Sequence, residues 1–190
     1  MSSRLYKVIF LGKKGSGNSA IMIQYSQKYF IENYEVVDDI SYRKMFSANG
    51  EEGMLDFLEP IWPSEHQNIL ESYINAGEGY MLTYSITSKE SFDSISFFYE
   101  KILEIKGDSP YSLILVGNKC DLDKERQVST EEGEELAQHM KCPFYEISAK
   151  TRKNIEECFH ELECSMVQKR IDNPIPPNQS VPVRPIRRKK

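Results

Sequence analysis

The chain has 190 residues, of which 39% are hydrophobic and 28% are charged, a composition typical of one soluble globular domain. Its net charge is −5, but the last seventeen residues carry five cations and no acid, so residues 1–173 hold 19 basic and 29 acidic side chains. Because nucleic-acid-binding domains are basic, this acidic body argues against a nucleic-acid partner. No apolar run in the sequence approaches the roughly 20 residues that cross a bilayer.

The four cysteines form neither a metal-binding nor a redox pattern. Cys120, Cys142, Cys158 and Cys164 include no CxxC pair and no zinc-finger spacing. We interpret them as reduced thiols of an intracellular protein and therefore expect a cytoplasmic location.

Hydrophobic periodicity predicts strands that alternate with helices. Strands are predicted over residues 5–11, 40–47, 53–58, 79–86, 111–116 and 143–147, and helices over 19–30, 64–76, 88–106, 129–140 and 154–170. Asn49-Gly50 predicts a hairpin turn, and Ser129 with Glu132 predicts a capping box at a helix start. This order implies an α/β fold: a six-stranded, mostly parallel sheet with helices on both faces and a ligand site at the carboxyl ends of its strands.

The C-terminal segment differs in composition from the rest of the chain. Prolines at 174, 176, 177, 182 and 185 exclude a helix, so we predict a domain over residues 1–172 and a disordered, proline-rich basic tail over 173–190. Near an anionic leaflet the five cations would contribute about 1 kcal/mol each, which predicts transient peripheral contact with the inner face of the plasma membrane. A solubilising tail or an import patch is the alternative, and no lipidation motif ends the sequence.

A glycine-rich segment follows the first predicted strand and opens the first helix. Residues 12–19 are GKKGSGNS, where the phosphate-binding P-loop pattern is GxxxxGK[ST]. Gly15, Gly17, Asn18, Ser19 and Ala20 are therefore candidates to bind phosphate at a helix N-terminus. The lysine of the pattern is replaced by Asn18, which carries no charge. Because a charged hydrogen bond contributes about 1.5–3 kcal/mol, we expect nucleotide affinity to be lower by about one to two decades.

Two lysines in the same loop are a possible alternative source of charge. Lys13 and Lys14 each lie one or two residues from the expected phosphate path. Each is either a substitute for the missing lysine or a solvated loop side chain, and the sequence leaves both interpretations open.

Two segments that follow predicted strands contain the residue types needed to read guanine. The first is Asn118, Lys119, Cys120, Asp121 and Leu122, and the second is Ser148, Ala149 and Lys150. The Asp121 carboxylate can accept from the ring N–H and the exocyclic amine of guanine, a donor pair that adenine lacks. Asn118 can tie neighbouring loops together, the Lys119 stem can pack over the base, and a backbone N–H at Ala149 can bind the base carbonyl.

With these motifs the chain resembles the Ras family of small GTPases over about residues 4–170. The resemblance includes SYRK at 41–44, GEGY at 77–80 and SAKT at 148–151. It implies a P-loop small G-domain fold that binds GTP or GDP with Mg²⁺, with Phe30 beside the base and Tyr34 over the phosphates. It also implies effector or regulator proteins that contact the region from Tyr34 to Lys44.

Departures from the family pattern cluster at the phosphate and metal end. Val37 stands where the family pattern has a threonine that ligates Mg²⁺ and senses the γ-phosphate. Trp62 replaces a glycine, and Pro63 occupies the position of the glutamine that orients water. Ser19 and Glu59 remain as candidate metal ligands. We therefore expect weak Mg²⁺ binding, no catalytic residue and very slow GTP hydrolysis.

These observations favour a pseudo-GTPase: a Ras-like interaction module of intracellular signalling that keeps guanine recognition but has degraded phosphate chemistry. One alternative is a slow GTP-hydrolysing switch whose missing groups a partner supplies. A second is a nucleotide-free interaction protein whose guanine-reading segments no longer bind.

Overall fold

The computed structural model describes residues 4–31, 42–60 and 67–174. The strands are β1 (Arg4–Leu11), β2 (Tyr42–Ala48), β3 (Glu51–Leu58), β4 (Gly79–Ser85), β5 (Ser112–Asn118) and β6 (Phe144–Glu146). The helices are α1 (Asn18–Gln27), α2 (Gln67–Ala76), α3 (Lys89–Asp93), α4 (Ile95–Lys106), α5 (Thr130–Met140) and α6 (Ile155–Asp172), and a 3₁₀ helix spans Cys120–Glu125. The predictions for Tyr34, Val37, Trp62, Pro63 and residues 175–190 lie outside the described residues.

One sheet joins the six described strands in the order β2-β3-β1-β4-β5-β6. Strand β2 is antiparallel to β3, and the other neighbouring strands are parallel. Strands β4 and β5 are buried at every position, because helices α1 and α6 cover one face of the sheet and α2, α4 and α5 cover the other. The predicted α/β fold with a six-stranded, mostly parallel sheet is therefore confirmed.

Local sequence signals account for the turn and the helix start that the sequence predicts. Asn49 and Gly50 both have positive φ, 51° and 77°, as a two-residue hairpin turn between β2 and β3 requires. The Ser129 hydroxyl accepts from the backbone N–H of Glu132, and the Glu132 carboxylate accepts from the N–H of Ser129, which forms the predicted capping box of α5.

Two predicted helices end or break earlier than expected. Helix α1 ends at Gln27 because Lys28 takes a left-handed conformation (φ 62°) and its N–H bonds to the carbonyl of Gln24. The helix predicted over residues 88–106 is divided into α3 and α4 at Ser94. The Ser94 hydroxyl donates to the carbonyl of Ser91 at 2.7 Å, a local bond of the type that competes with regular helix geometry.

A buried cluster fixes helix α1, and with it the loop that precedes it, against α6. The Tyr25 ring stacks on Phe159 with 3.7 Å between centroids, and its hydroxyl donates to the Glu163 carboxylate at 2.6 Å. The Lys44 ammonium of β2 lies 3.2 Å from the centroid of the same ring. Burial raises the pKa of Glu163, and the Tyr25 hydrogen bond opposes that rise. The cluster thus joins α1, β2 and α6.

Two further findings bear on the predictions from composition. All four cysteines are free thiols. Within the described ranges, no helix combines the length and the apolar character that a membrane crossing needs.

Candidate functional site

A cavity of about 520 Å³ opens at the carboxyl ends of β1 and β5, beside the N-terminus of α1. This volume lies within the roughly 300–1,000 Å³ of typical small-molecule sites. Twelve of the predicted nucleotide-binding residues line it: Gly15, Gly17, Asn18, Ser19, Ala20, Phe30, Asn118, Lys119, Asp121, Leu122, Ala149 and Lys150. Glu59, the predicted weak metal ligand, lines it as well. Ser148 is buried and does not line the cavity.

The glycine-rich loop forms a tight turn between β1 and α1. The Ser16 N–H donates to the carbonyl of Lys13 at 3.0 Å, and Gly15 and Gly17 have φ of 93° and 96°. A Cβ at Gly17 would lie 2.3 Å from the Asn118 amide nitrogen, whereas a Cβ at Gly15 would meet nothing within 4 Å. Gly17 is therefore required both by its backbone conformation and by the close approach of Asn118.

Asn118 joins the three segments that border the cavity. Its side chain is 1% exposed, and its amide nitrogen donates to the carbonyl of Ser16 at 2.9 Å. Its amide oxygen accepts from the N–H of Ala149 at 3.2 Å. The Ala149 N–H that the sequence assigns to a base carbonyl is thus engaged by Asn118, and a bound base would have to share or replace this bond.

Asp121 is held in place from behind the cavity wall. The Ser148 hydroxyl donates to one Asp121 carboxylate oxygen at 2.6 Å and itself accepts from the N–H of Thr151 at 2.9 Å. Ser148 therefore orients the carboxylate rather than facing a ligand directly. Because a carboxylate offers two oxygens, Asp121 keeps acceptor capacity toward the cavity.

The phosphate end has a different electrostatic character. The Ser19 hydroxyl donates to the Glu59 carboxylate at 2.7 Å. Burial raises the pKa of Glu59, while hydrogen bonds from Ser19 and Asn18 oppose the rise. A carboxylate oxygen accepts hydrogen bonds, so the amide nitrogen is the atom of Asn18 that can donate to Glu59.

That arrangement leaves the other atom of the Asn18 amide unsatisfied. Asn18 is 4% exposed, and its side-chain oxygen has no partner among the described residues. A buried acceptor without a partner typically costs about 1–3 kcal/mol. The position that carries an ammonium in the P-loop pattern therefore holds an unpaired acceptor.

The donor set allows a test of how well a metal and a nucleotide fit. Mg²⁺ binds about six oxygens and usually keeps several waters, with one or two protein ligands. The Ser19 hydroxyl and the Glu59 carboxylate provide two adjacent oxygens, which are enough in number, but they are hydrogen-bonded to each other and the ion would have to replace that bond. The described residues contain no group of three or more His, Cys, Asp or Glu side chains placed to bind a metal. For a purine base, the cavity wall offers the side chains of Asn118 and Asp121.

Sequence reasoning did not select two of the residues that line the cavity. Ser16 and Ile31 are part of its wall, and the buried Ser16 hydroxyl has no partner among the described residues. Ser16 lies within the glycine-rich pattern at a position that accepts any residue, and Ile31 follows Phe30 without a motif of its own. In the sequence, the only signal for either residue is that it lies next to a residue already predicted to bind nucleotide.

The strand order of the sheet and the glycine-rich loop at the carboxyl end of β1 define a small G-domain of the P-loop class. The Ras family profile matches residues 7–168. A Ras-like protein from Laccaria bicolor is 42% identical over 173 residues, which cover 90% of this chain and 83% of that protein. The chain therefore belongs to the Ras family, whose members are guanine-nucleotide-binding signalling proteins that generally act with Mg²⁺ and with effector and regulator proteins.

Proposed function

We propose that this protein is a Ras-family pseudo-GTPase, an interaction module that binds guanine nucleotide without hydrolysing GTP at a useful rate. The observation that carries the proposal is the contrast within one cavity. Its base end has well-bonded Asn118 and Asp121, and its phosphate end has an unpaired Asn18 oxygen beside a buried carboxylate.

The base end supports guanine selectivity. Asp121 is positioned by Ser148, and Phe30 is 36% exposed at the cavity wall, where a base can contact its ring. The Asp121 carboxylate is exposed until a base covers it, and a covering adenine would leave it without the donor pair that guanine offers, which penalises adenine nucleotides. We therefore expect GDP and GTP to bind in preference to ADP and ATP.

The phosphate end supports weak binding of Mg²⁺ and slow chemistry. Phosphoryl transfer depends on positioning and on neutralising charge at the transferred phosphate. Asn18 brings no charge, and Val37 and Pro63 replace side chains that the family uses for metal binding and water orientation. Loss of these groups together removes most of the means to stabilise the transition state.

The test combines ligand identification with single-turnover kinetics. Protein purified under native conditions is analysed for bound nucleotide, and binding of GDP is compared with ADP. We expect a guanine preference and no GTP cleavage above buffer. The matched control for Ser19→Ala is Ser26→Ala, since Ser26 bonds to the Met22 carbonyl in the same helix and does not line the cavity. GTP cleavage that Ser19→Ala abolishes and Ser26→Ala leaves intact would contradict the proposal.

A slow GTP-hydrolysing switch is the second candidate, and one observation favours it. The Ser19 and Glu59 oxygens, 2.7 Å apart, still offer part of a Mg²⁺ site that a partner protein would complete. This candidate predicts Mg²⁺-dependent GTP affinity and faster turnover when cell lysate is added. A nucleotide-free interaction protein, by contrast, predicts no bound nucleotide and no thermal shift on addition of GDP.

The proposal extends to partners and location. Tyr42, Arg43 and Lys44 lie on β2, one of the two edge strands of the described sheet, where an effector or regulator strand can pair. We propose a cytoplasmic protein whose domain ends near residue 172 and whose basic tail contacts anionic membranes transiently. Vesicle co-sedimentation of the full chain and of a chain ending at residue 173 tests the tail, and equal sedimentation would contradict this part.

A further inference from the structure

The two lysines of the phosphate loop differ in their surroundings. Both Lys13 and Lys14 line the cavity. The Lys13 ammonium forms an ion pair with the Glu90 carboxylate of α3, and both side chains are well exposed. Lys14 forms no ion pair within the described residues. The loop therefore holds one cation that is already engaged and one that is available.

The turn places Lys14 at the tip of the loop. It is a central residue of the turn closed by the hydrogen bond from Ser16 to Lys13, and Gly15 follows it with a φ of 93°. The other two lysines of the cavity, Lys119 and Lys150, belong to the segments at the base end. Among the described residues at the phosphate end, Lys14 is thus the cation without a counter-charge.

We propose that Lys14 supplies the phosphate-binding charge that Asn18 lacks, and that Glu90 holds Lys13 out of this role. The inference rests on the proposed function, because it names the cation within the same site. A lysine ammonium is a point charge on a flexible stem and needs no fixed geometry to pair with phosphate. A cation at the loop tip can therefore replace one at the helix N-terminus.

Glu90 matters because of where it holds the Lys13 ammonium, and less because of the strength of the ion pair between them. An exposed ion pair stabilises a protein little, because solvent screens both charges. It still places the Lys13 ammonium beside α3. When Glu90 loses its charge, Lys13 is released and becomes a second cation for the phosphates.

The first experiment measures the affinities of guanosine, GMP, GDP and GTP by competition against a fluorescent GDP. Lys14→Gln is expected to weaken GDP and GTP binding by about tenfold or more and to leave guanosine binding unchanged, because only the phosphates meet the ammonium. Lys13→Gln is the matched control, with the same charge change in the same loop, and is expected to have little effect. Lys14→Arg should retain binding.

The second experiment tests the role of Glu90. Glu90→Gln is expected to raise GDP affinity in the wild-type background and to have no effect in the Lys13→Gln background. Asp93→Asn is the control in the same helix, since Asp93 faces Lys89 instead. A gain that persists without Lys13, or no gain at all, would overturn the assignment to Glu90.

The outcomes separate this inference from the proposed function. If the wild-type protein binds GDP no better than ADP, both fail. If it binds GDP selectively but Lys14→Gln binds GDP as well as the wild type, the proposed function stands and the assignment of Lys14 is wrong. If Lys14→Gln weakens guanosine and GDP equally, the residue acts on loop structure and the assignment is also wrong.

Discussion

The two ends of the cavity differ in what their side chains do for the fold. At the base end, Asn118 connects the glycine-rich loop to the segment at Ala149, and Ser148 connects Asp121 to Thr151. At the phosphate end, the oxygen of Asn18 and the hydroxyl of Ser16 are buried without partners among the described residues. Residues at the base end thus hold loops together.

This difference bears on how much the residues at each end contribute to the fold. Asn18 already has a buried oxygen without a partner among the described residues, so a substitution there removes little that stabilises the fold. Loss of Asn118 would unpair buried groups in two other segments, at a cost of about 1–3 kcal/mol for each group. Asn118 and Ser148 therefore have a structural role beside the proposed role of the base end in guanine binding, and direct tests must separate the two.

The largest effect is expected from Gly17→Ala, where the two ends meet. The new Cβ would lie 2.3 Å from the Asn118 amide and would sit in a left-handed conformation. Strain and the lost hydrogen bond together predict a loss of about 3 kcal/mol in the free energy of unfolding, with loss of GDP binding. Gly15→Ala is the control: its φ is similar but its Cβ meets nothing, so urea unfolding should show a loss of about 1 kcal/mol. Equal losses of unfolding free energy in the two variants would mean that the contact with Asn118 does not contribute to the effect of Gly17→Ala.

A smaller effect is expected from Asp121→Asn, which tests whether the base end still reads guanine. Replacing the carboxylate removes an ionised acceptor, which predicts GDP binding weaker by about ten- to 150-fold. Asp123→Asn is the matched control, because Asp123 is exposed and pairs with Arg126 outside the cavity. Isothermal titration with GDP measures both. Unchanged GDP affinity in Asp121→Asn would favour a purely structural role for the residues at the base end.

Asn18→Lys restores the lysine of the P-loop pattern and so tests how the phosphate end differs from the base end. We expect GDP affinity to rise by about tenfold, since a charged hydrogen bond is restored, and guanosine affinity to stay the same. GTP cleavage should remain at the buffer rate, because Pro63 still occupies the water-orienting position. If GDP affinity does not rise, the loop does not approach the phosphates as proposed.

The smallest effect is expected from removal of Mg²⁺. Because the Ser19 hydroxyl and the Glu59 carboxylate are hydrogen-bonded to each other and Val37 offers no side-chain oxygen, GDP affinity should be the same in EDTA and in excess Mg²⁺ within error. Adenine nucleotides measured in parallel control for non-specific salt effects. A marked loss of GDP affinity in EDTA would show a working metal site and would favour the partner-assisted switch.

Much of the fold was predictable because its signals are local. Buried strands such as β4 and β5 are mostly apolar runs, and the Asn49-Gly50 turn and the Ser129 cap depend on neighbouring residues alone. The errors were also local: Lys28 stops α1 by its backbone conformation, and Ser94 divides α3 from α4 by a side-chain bond. Neither event has a distinctive residue pattern, since lysine and serine occur within many helices.

By itself, the sequence determined the order of strands and helices and the membership of most of the cavity wall, because strand-end motifs in a parallel sheet converge on one edge. Only the tertiary structure decided which side chains meet across long separations. Lys13 and Glu90 are 77 residues apart, Ser19 and Glu59 are 40 apart, and Asn118 and Ser16 are 102 apart. Such contacts depend on how helices pack on the sheet, and they decide which polar groups at each end of the pocket are already bonded.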